Sequence, residues 1–367
     1  MKILFVDDEA RVLDGMRSLL ATVEGRWDAR FAMSGNEALE ILAGEPADVV
    51  VADMRMPGMD GAELLGKVQL RSPETMRILL SGHADHDAAF RALNVAHRFL
   101  AKPYEARVLA DAVDRYSLMQ GLLQSEELKR LVGSVERLPA APRVFKELWR
   151  TLTSPQQDAT RAAVVIGRDP ALTAKVLQLA NSAFLRRGAE IDSIHTAVTR
   201  IGIATLRTLV LATEVFTSQS DVEAIAQLQL RALSASSLAR RLAVGRADAE
   251  IAATGALLAD VGLLLPLAVQ RCRAITANGR PVTHAEVGAY LLGLWGLPMP
   301  IVEAVAYHHT PAEVPQHEWG PLGVVHVAVS LALGDSPDLE YLERMGVTES
   351  LEGWRRAAEN LLTEIAA

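Results

Sequence analysis

Asp7, Asp8, Asp53, Ser81 and Lys102 are the residues in the first third of this chain whose types and placement could do chemistry. Each follows or closes a short apolar run, so a fold that aligns those runs would gather all five at one edge. Three carboxylates held close together repel one another unless a cation lies among them, and an all-oxygen donor set suits a hard ion such as Mg2+. That positive charge would also offset a phosphoryl group arriving at Asp53, with Lys102 and the Ser81 hydroxyl holding its remaining oxygens. In such an arrangement Asp53 is a carboxylate nucleophile that becomes an acyl phosphate. Any one of these side chains alone would read as a solvated loop residue. Their order along the chain points to a site.

A second group of metal-binding residue types lies far downstream: Asp260 in GALLADVGLLLP (255–266), His284 in THAEVG and His308-His309 in AYHHTP. The first of these stretches resembles the Leu-Leu-His-Asp-Ile-Gly signature of the HD metal-dependent phosphohydrolases, with Ala259 where the His would stand. The resemblance implies an upstream His and a closing Asp as well. None of the nine His lies between His195 and His284, and Val329 in VHVAVSLAL occupies the place of the closing Asp. HHTPAEVPQHEWG also lacks the Gly-Tyr-Pro of HD-GYP cyclic-dinucleotide phosphodiesterases. Two adjacent His on one helix point about 100° apart, so both reach one ion only through a bend. The expectation is a degenerate HD site, with these four residues as remnants that hydrogen-bond in or beside a helical core, no cofactor in this half of the chain, and no enzyme activity.

The elements that must position the first group are legible as alternating strands and helices. ILFV (3–6), WDARFAM (27–33), VVVA (49–52), ILL (78–80) and RFLA (98–101) are short and β-rich, and most are continuously apolar, as strands covered on both faces are. Val12, Met16, Leu19, Leu20 and Val23 fall at helical spacing between the first two. The pattern predicts a doubly wound α/β unit with a five-stranded parallel sheet, whose ligand site lies beyond the carboxyl ends of the strands.

Over residues 1–120 the acidic pair, Asp53 followed by MRMPGMDG, Ser81 and Lys102-Pro103 together resemble the receiver domain of bacterial response regulators. The resemblance implies that Asp8 and Asp53 ligate Mg2+ directly, Asp7 through water, and that the Arg55 carbonyl supplies a further ligand. It places Phe99 as the switch aromatic, Asp53 as the phosphoacceptor and a sensor histidine kinase as the upstream partner.

From Glu105 to about Val135 the pattern is helical and free of proline, with Leu109, Ala112, Tyr116, Met119 and Leu123 forming an apolar stripe that Glu126 interrupts. A seam between two protomers, making a homodimer, is one reading. A last receiver helix that runs on as a connector is the other. LPAAP (138–142) then opens a region read as all-helical, with no strands. LPAAPRVFKEL, DPALTAKVLQLANSAF, IDSIHTAVTRIG and GALLADVG together resemble the HDOD domain, an HD-related output domain, over about residues 138–335. Asn181 and Ser182 are assigned helix-end hydrogen bonding rather than chemistry. The expected organisation is a receiver over 1–120, a helical connector over 121–137, the HDOD domain over 138–335, and an acidic amphipathic helical extension over 336–367 that caps the domain or serves a partner.

Composition bounds the rest. The 367 residues are 50% apolar and 22% charged, as in globular chains with ample core, and the net charge is −8. Residues 121–280 hold 20 Lys and Arg against 14 Asp and Glu, and residues 281–367 hold 3 against 12. No nucleic-acid recognition motif accompanies the mildly basic middle, so a DNA-binding regulator is disfavoured. Cys272 is the single cysteine, MKILFVDDEA is not a signal peptide, and the apolar run around 255–269 is broken by Asp260 and Pro266. A cytoplasmic protein without membrane association is expected. The leading function is a two-component response regulator whose HDOD half changes its binding to unidentified protein partners. The alternative is a divergent HD phosphohydrolase or cyclic-dinucleotide phosphodiesterase switched by the receiver.

Overall fold

The structure is a computed structural model that describes residues 1–20, 27–82, 92, 95–102, 106–135, 142–153, 158–181, 190–203, 206, 222–243, 247–265, 276–277, 280–315 and 318–366. Pro103, Ser182, Pro266, Cys272 and most of the LPAAP stretch lie outside the described residues. The chain divides into two compact units, one built mainly from residues 1–137 and the other mainly from 138–367.

The first unit is the expected α/β fold. Strands β1 (Lys2–Val6), β2 (Asp28–Ala32), β3 (Val49–Asp53), β4 (Met76–Gly82) and β5 (Arg98–Lys102) pair in parallel in the order β2-β1-β3-β4-β5. Ile3 to Val6 and Val49 to Ala52 are fully buried, which is why these segments carry no polar alternation. Helices α1 (Ala10–Leu20), α2 (Gly35–Gly44), α3 (Gly61–Arg71) and α4 (Ala106–Leu122) alternate with the strands. The strand order reverses between β1 and β3, and ligands in such sheets bind beyond the carboxyl ends at that point.

The stripe on α4 faces its own unit: Leu109, Ala112, Tyr116, Met119 and Leu123 are buried, and the Tyr116 hydroxyl donates to the Glu74 carbonyl at 3.0 Å. The helical stretch expected to about residue 135 is present as two helices. The chain breaks at 123–125 and restarts as α5 (Glu126–Gly133), because Ser125 caps the Leu128 amide and Glu126 and Glu127 fill the first turn. The buried guanidinium of Arg77 fastens α5 to the sheet. It donates to the carbonyls of Val95 (2.6 Å), Pro73 (2.9 Å), Thr75 (3.1 Å) and Gly133 (2.7 Å).

The second unit is helical: α6 (Pro142–Thr153), α7 (Ala159–Ile166), α8 (Pro170–Ala180), α9 (Ile194–Ile201), α10 (Val222–Leu242), α11 (Ala249–Leu258), α12 (His284–Leu294), α13 (Met299–Tyr307), α14 (Pro321–Leu333), α15 (Leu339–Arg344) and α16 (Leu351–Ala366). It is not wholly free of strands. Two-residue strands β6 (Thr276–Ala277) and β7 (Arg280–Pro281) pair antiparallel, and pieces so short leave no periodicity to read. Every residue of α8 is buried, so the DPALTAKVLQLA stretch runs through the interior. Asp169 starts that helix by accepting from the Leu172 amide at 2.9 Å, and Gln229 of α10 donates to its other oxygen at 2.5 Å. Small residues such as Ala235, Ala239, Ala252, Ala256 and Ala328 let α10, α11 and α14 approach closely. Leu351, Ala358 and Leu361 of α16 join the same core, and Trp354 stacks on Trp319 with centroids 5.3 Å apart, so the C-terminal extension caps this unit. No helix among the described residues is long and apolar enough to cross a membrane.

Candidate functional site

Strand β3 delivers Asp53 to the carboxyl edge of the sheet, 7% exposed. A close backbone crossing fixes it there. A Cβ on Gly61 would meet the Asp53 carbonyl oxygen at 2.2 Å, so glycine is required where α3 begins. The Gly61 amide donates to the Met54 carbonyl at 3.1 Å, and the Asp60 side chain caps α3 through the Glu63 amide at 2.8 Å. MRMPGMDG is therefore a turn that folds the chain back over Asp53.

Asp7 follows β1, is fully buried, and accepts from the Glu9 amide at 3.0 Å. Lys102, closing β5, places its Nζ between the two acids, 2.6 Å from Asp7 Oδ2 and 2.5 Å from Asp53 Oδ1. The second Asp53 oxygen accepts from the Arg55 amide at 2.9 Å. Burial pushes the Asp53 carboxyl up from its ordinary value, against the pull of Lys102. At Lys102 burial acts downward, but the bonds to Asp53 and Asp7 outweigh it and keep the ammonium charged. Asp8, partly buried, is next in the chain to Asp7. Ser81 is buried on β4 opposite Ala101, one residue before Lys102, while Phe99 is buried further up β5 opposite Leu79. A single positive charge already sits between two carboxylates, and the donors on offer are all oxygens, so the residues present fit a hard divalent ion.

In the helical unit the second group also converges. Asp260 follows α11 at the start of a 3-10 turn (Val261–Leu264), and His284 opens α12. These two chain segments touch backbone to backbone, since a Cβ on Gly262 would lie 2.0 Å from the His284 carbonyl oxygen. His284 Nε2 is 2.9 Å from Asp260 Oδ1. The expectation that the adjacent His308 and His309 diverge is corrected here. Helix α13 stops at Tyr307, both His sit in the turn after it, and their ring centroids are 4.0 Å apart, with His284 at 6.1 Å and 5.3 Å. Burial, with His309 adding to it, holds His308 down to about 3, so its ring is neutral. Asp260 lies below its ordinary value: burial opposes this, and the bond to His284 with the surrounding His outweighs burial.

Ala259 and Val329, which stand where the HD signature has metal ligands, are both buried in one apolar cluster with Ala256 and Val325. His326 was not singled out from the sequence. It is a strut, its Nδ1 donating to the His308 carbonyl at 2.7 Å and its Nε2 accepting from the Asp338 amide at 2.9 Å. The available signal was a lone His inside the apolar run VHVAVSLAL, since a buried polar group needs partners.

The response regulator receiver domain model matches residues 3–114, and the HDOD domain model matches residues 138–311. The chain is 30% identical over 163 residues to the hydrogenase transcriptional regulatory protein HoxA of Cupriavidus necator, covering 44% of this chain and 31% of that protein. It is 36% identical over 127 residues to the response regulator protein FleR of Pseudomonas aeruginosa, covering 34% and 26%. The chain thus spans between a quarter and a third of the length of these curated relatives. Among solved structures, a signal receiver domain of an HD domain-containing protein from Pseudomonas fluorescens shares 31% identity over 33% of this chain and 96% of that one, with a TM-score of 0.31. Residues 3–114 thus carry a response regulator receiver domain and residues 138–311 an HDOD domain, the two domains that the sequence motifs resemble.

Proposed function

We propose that Asp53 is the phosphoacceptor of a two-component pathway and that the HDOD domain passes the signal on by binding other proteins, not by catalysis. The observation that carries this reading is the bridge from Lys102 to Asp7 and Asp53 at the mouth of the sheet. One Asp53 oxygen attacks the phosphorus of a phosphorylated kinase histidine. The P–O bond forms as the P–N bond breaks, and the electron pair stays on the imidazole nitrogen. Asp7, Asp8, Asp53 and the Arg55 carbonyl would hold Mg2+, which when bound neutralises charge building on the phosphoryl oxygens. Lys102 and Ser81 take two of those oxygens, and the movement of Ser81 makes room for Phe99 to turn. Under this reading the protein works in the cytoplasm, with a sensor histidine kinase upstream and with protein partners downstream, in a monomer or a homodimer. Absence of hydrolysis is supported by Ala259 and Val329, whose places in the HD signature are filled here by hydrocarbon.

The test is labelling with a small acyl phosphate and Mg2+, followed by peptide mapping. Phosphate on Asp53, lost in Asp53→Asn and partly kept in Lys102→Ala, is the expected result. Phosphate at another residue would overturn the reading.

A further inference from the structure

Asp260, His284, His308 and His309 each offer a ligand atom within 4.8 Å of the other three. They come from three chain segments: the turn after α11, the start of α12 and the turn after α13. Tetrahedral ligands around an ion with bonds of 2.0–2.1 Å lie roughly 3.3 Å apart, so a small contraction closes the set. The distance from His284 Nε2 to Asp260 Oδ1, 2.9 Å, is slightly shorter than that, so this pair needs only a small separation to admit an ion.

A second observation points to a missing ligand. His308 is 1% exposed, and its Nε2 has no hydrogen-bond partner among the described residues. Its Nδ1 is 2.8 Å from the Val305 carbonyl. A carbonyl can only accept, so Nδ1 carries the proton and Nε2 presents a bare lone pair. Buried nitrogen lone pairs left without a donor are costly, and this tautomer is the one in which imidazole ligates a metal. The His326 bond to the His308 carbonyl further fixes the turn that aims the ring.

We propose that these four side chains bind one divalent first-row transition-metal ion, with Zn2+ as its type. Three imidazoles and one carboxylate match a borderline ion and are poorly suited to Mg2+ or Ca2+. This set keeps the Asp of the HD pair but not its His, whose place is taken by Ala259, buried with Val329 in an apolar cluster. Four protein ligands make a closed site of structural type, which keeps an open water position for neither hydrolysis nor exchange. The ion ties the ends of α11, α12 and α13 together. This inference goes beyond the function proposed above and stands whether or not Asp53 is phosphorylated.

The test uses the full-length protein, stripped with a chelator and kept in millimolar Mg2+ so that the receiver's oxygen site is occupied. Calorimetric titration with Zn2+ should give one site per chain, and Zn2+ should raise the melting temperature. Co2+ in its place should give the intense visible bands of a four-coordinate, nitrogen-ligated ion. His284→Gln and His309→Gln should each weaken Zn2+ binding roughly 100-fold or more, with far-ultraviolet dichroism unchanged. Because His308 is buried, Asp260→Asn stands in for His308→Gln if the latter fails to fold, and with the two variants above it decides the matter. No stoichiometric Zn2+ binding, binding untouched by these substitutions, or the weak spectrum of six oxygen ligands would overturn the proposal.

Discussion

Lys102 stands as the sole charge-balancing contact that reaches both Asp7 and Asp53 among the described ion pairs, and it does so while three-quarters of its side chain is buried. Removing one member of a buried charge set leaves the others uncompensated, which costs on the order of 3–5 kcal/mol. Lys102→Ala should therefore lower unfolding stability in a chelator by about 2–4 kcal/mol, since part of the site is open to water. Millimolar Mg2+ should restore much of that loss, because a cation bound only by the folded state stabilises it by mass action. Denaturant melts with and without Mg2+ read this directly, and an equal deficit in both would show that the carboxylates do not hold the ion. Ala259 makes the opposite point. Ala259→His inserts an imidazole into a close-packed hydrocarbon cluster, so we expect a loss of about 1–3 kcal/mol. It should not create turnover of cyclic dinucleotides with Mg2+, Mn2+ or Fe2+, because Val329 and the missing upstream His are unchanged. Product release by the unmodified protein that vanishes in Asp260→Ala would contradict a non-catalytic output domain.

At the scale of elements, the strands were legible because they are buried on both faces and so read as unbroken apolar runs, and the five acidic, hydroxyl and basic residues at their ends followed. Boundaries governed by capping or tertiary contacts were less so. The α4 stripe stops before Glu126, but nothing in the pattern marked the helix end: Ser125 and the two acids after it restart the helix, and the stripe is buried. The convergence of His308 and His309 was hidden for a related reason: periodicity treats AYHHTP as helix, whereas the helix stops one residue before the first His. Nor did any pattern single out Arg77, since its partners are backbone carbonyls that a sequence does not display. Arg77→Met should strand those carbonyls in the interior and cost about 3–5 kcal/mol, with α5 detaching before the sheet unfolds. Equilibrium denaturation, with exchange of the Glu126–Gly133 amides, checks it. A loss under 1 kcal/mol would mean that α5 is held by other contacts.

For the molecule as a whole, the proposed phosphorylation of Asp53 would act first on β4 and β5, which carry Ser81, Phe99 and Lys102. Phosphorylation adds about two negative charges beside Ser81 and Lys102. Turning a conformational equilibrium from about 1:99 to 99:1 needs roughly 5.5 kcal/mol of differential stabilisation. One new hydroxyl contact contributes only about 1 kcal/mol, so a partial shift completed by partner binding is the expected behaviour. The C-terminal extension is built into the helical core through Leu351, Ala358 and Leu361, which makes it part of the output domain's framework and not a free tail. The measurement that bears most directly on signalling from Asp53 is hydrogen exchange of the full chain, with and without beryllofluoride and Mg2+. Altered protection across residues 81–125 together with a patch of the helical domain is the result we expect. Changes confined to the loops around Asp8, Asp53 and Ser81 would contradict it.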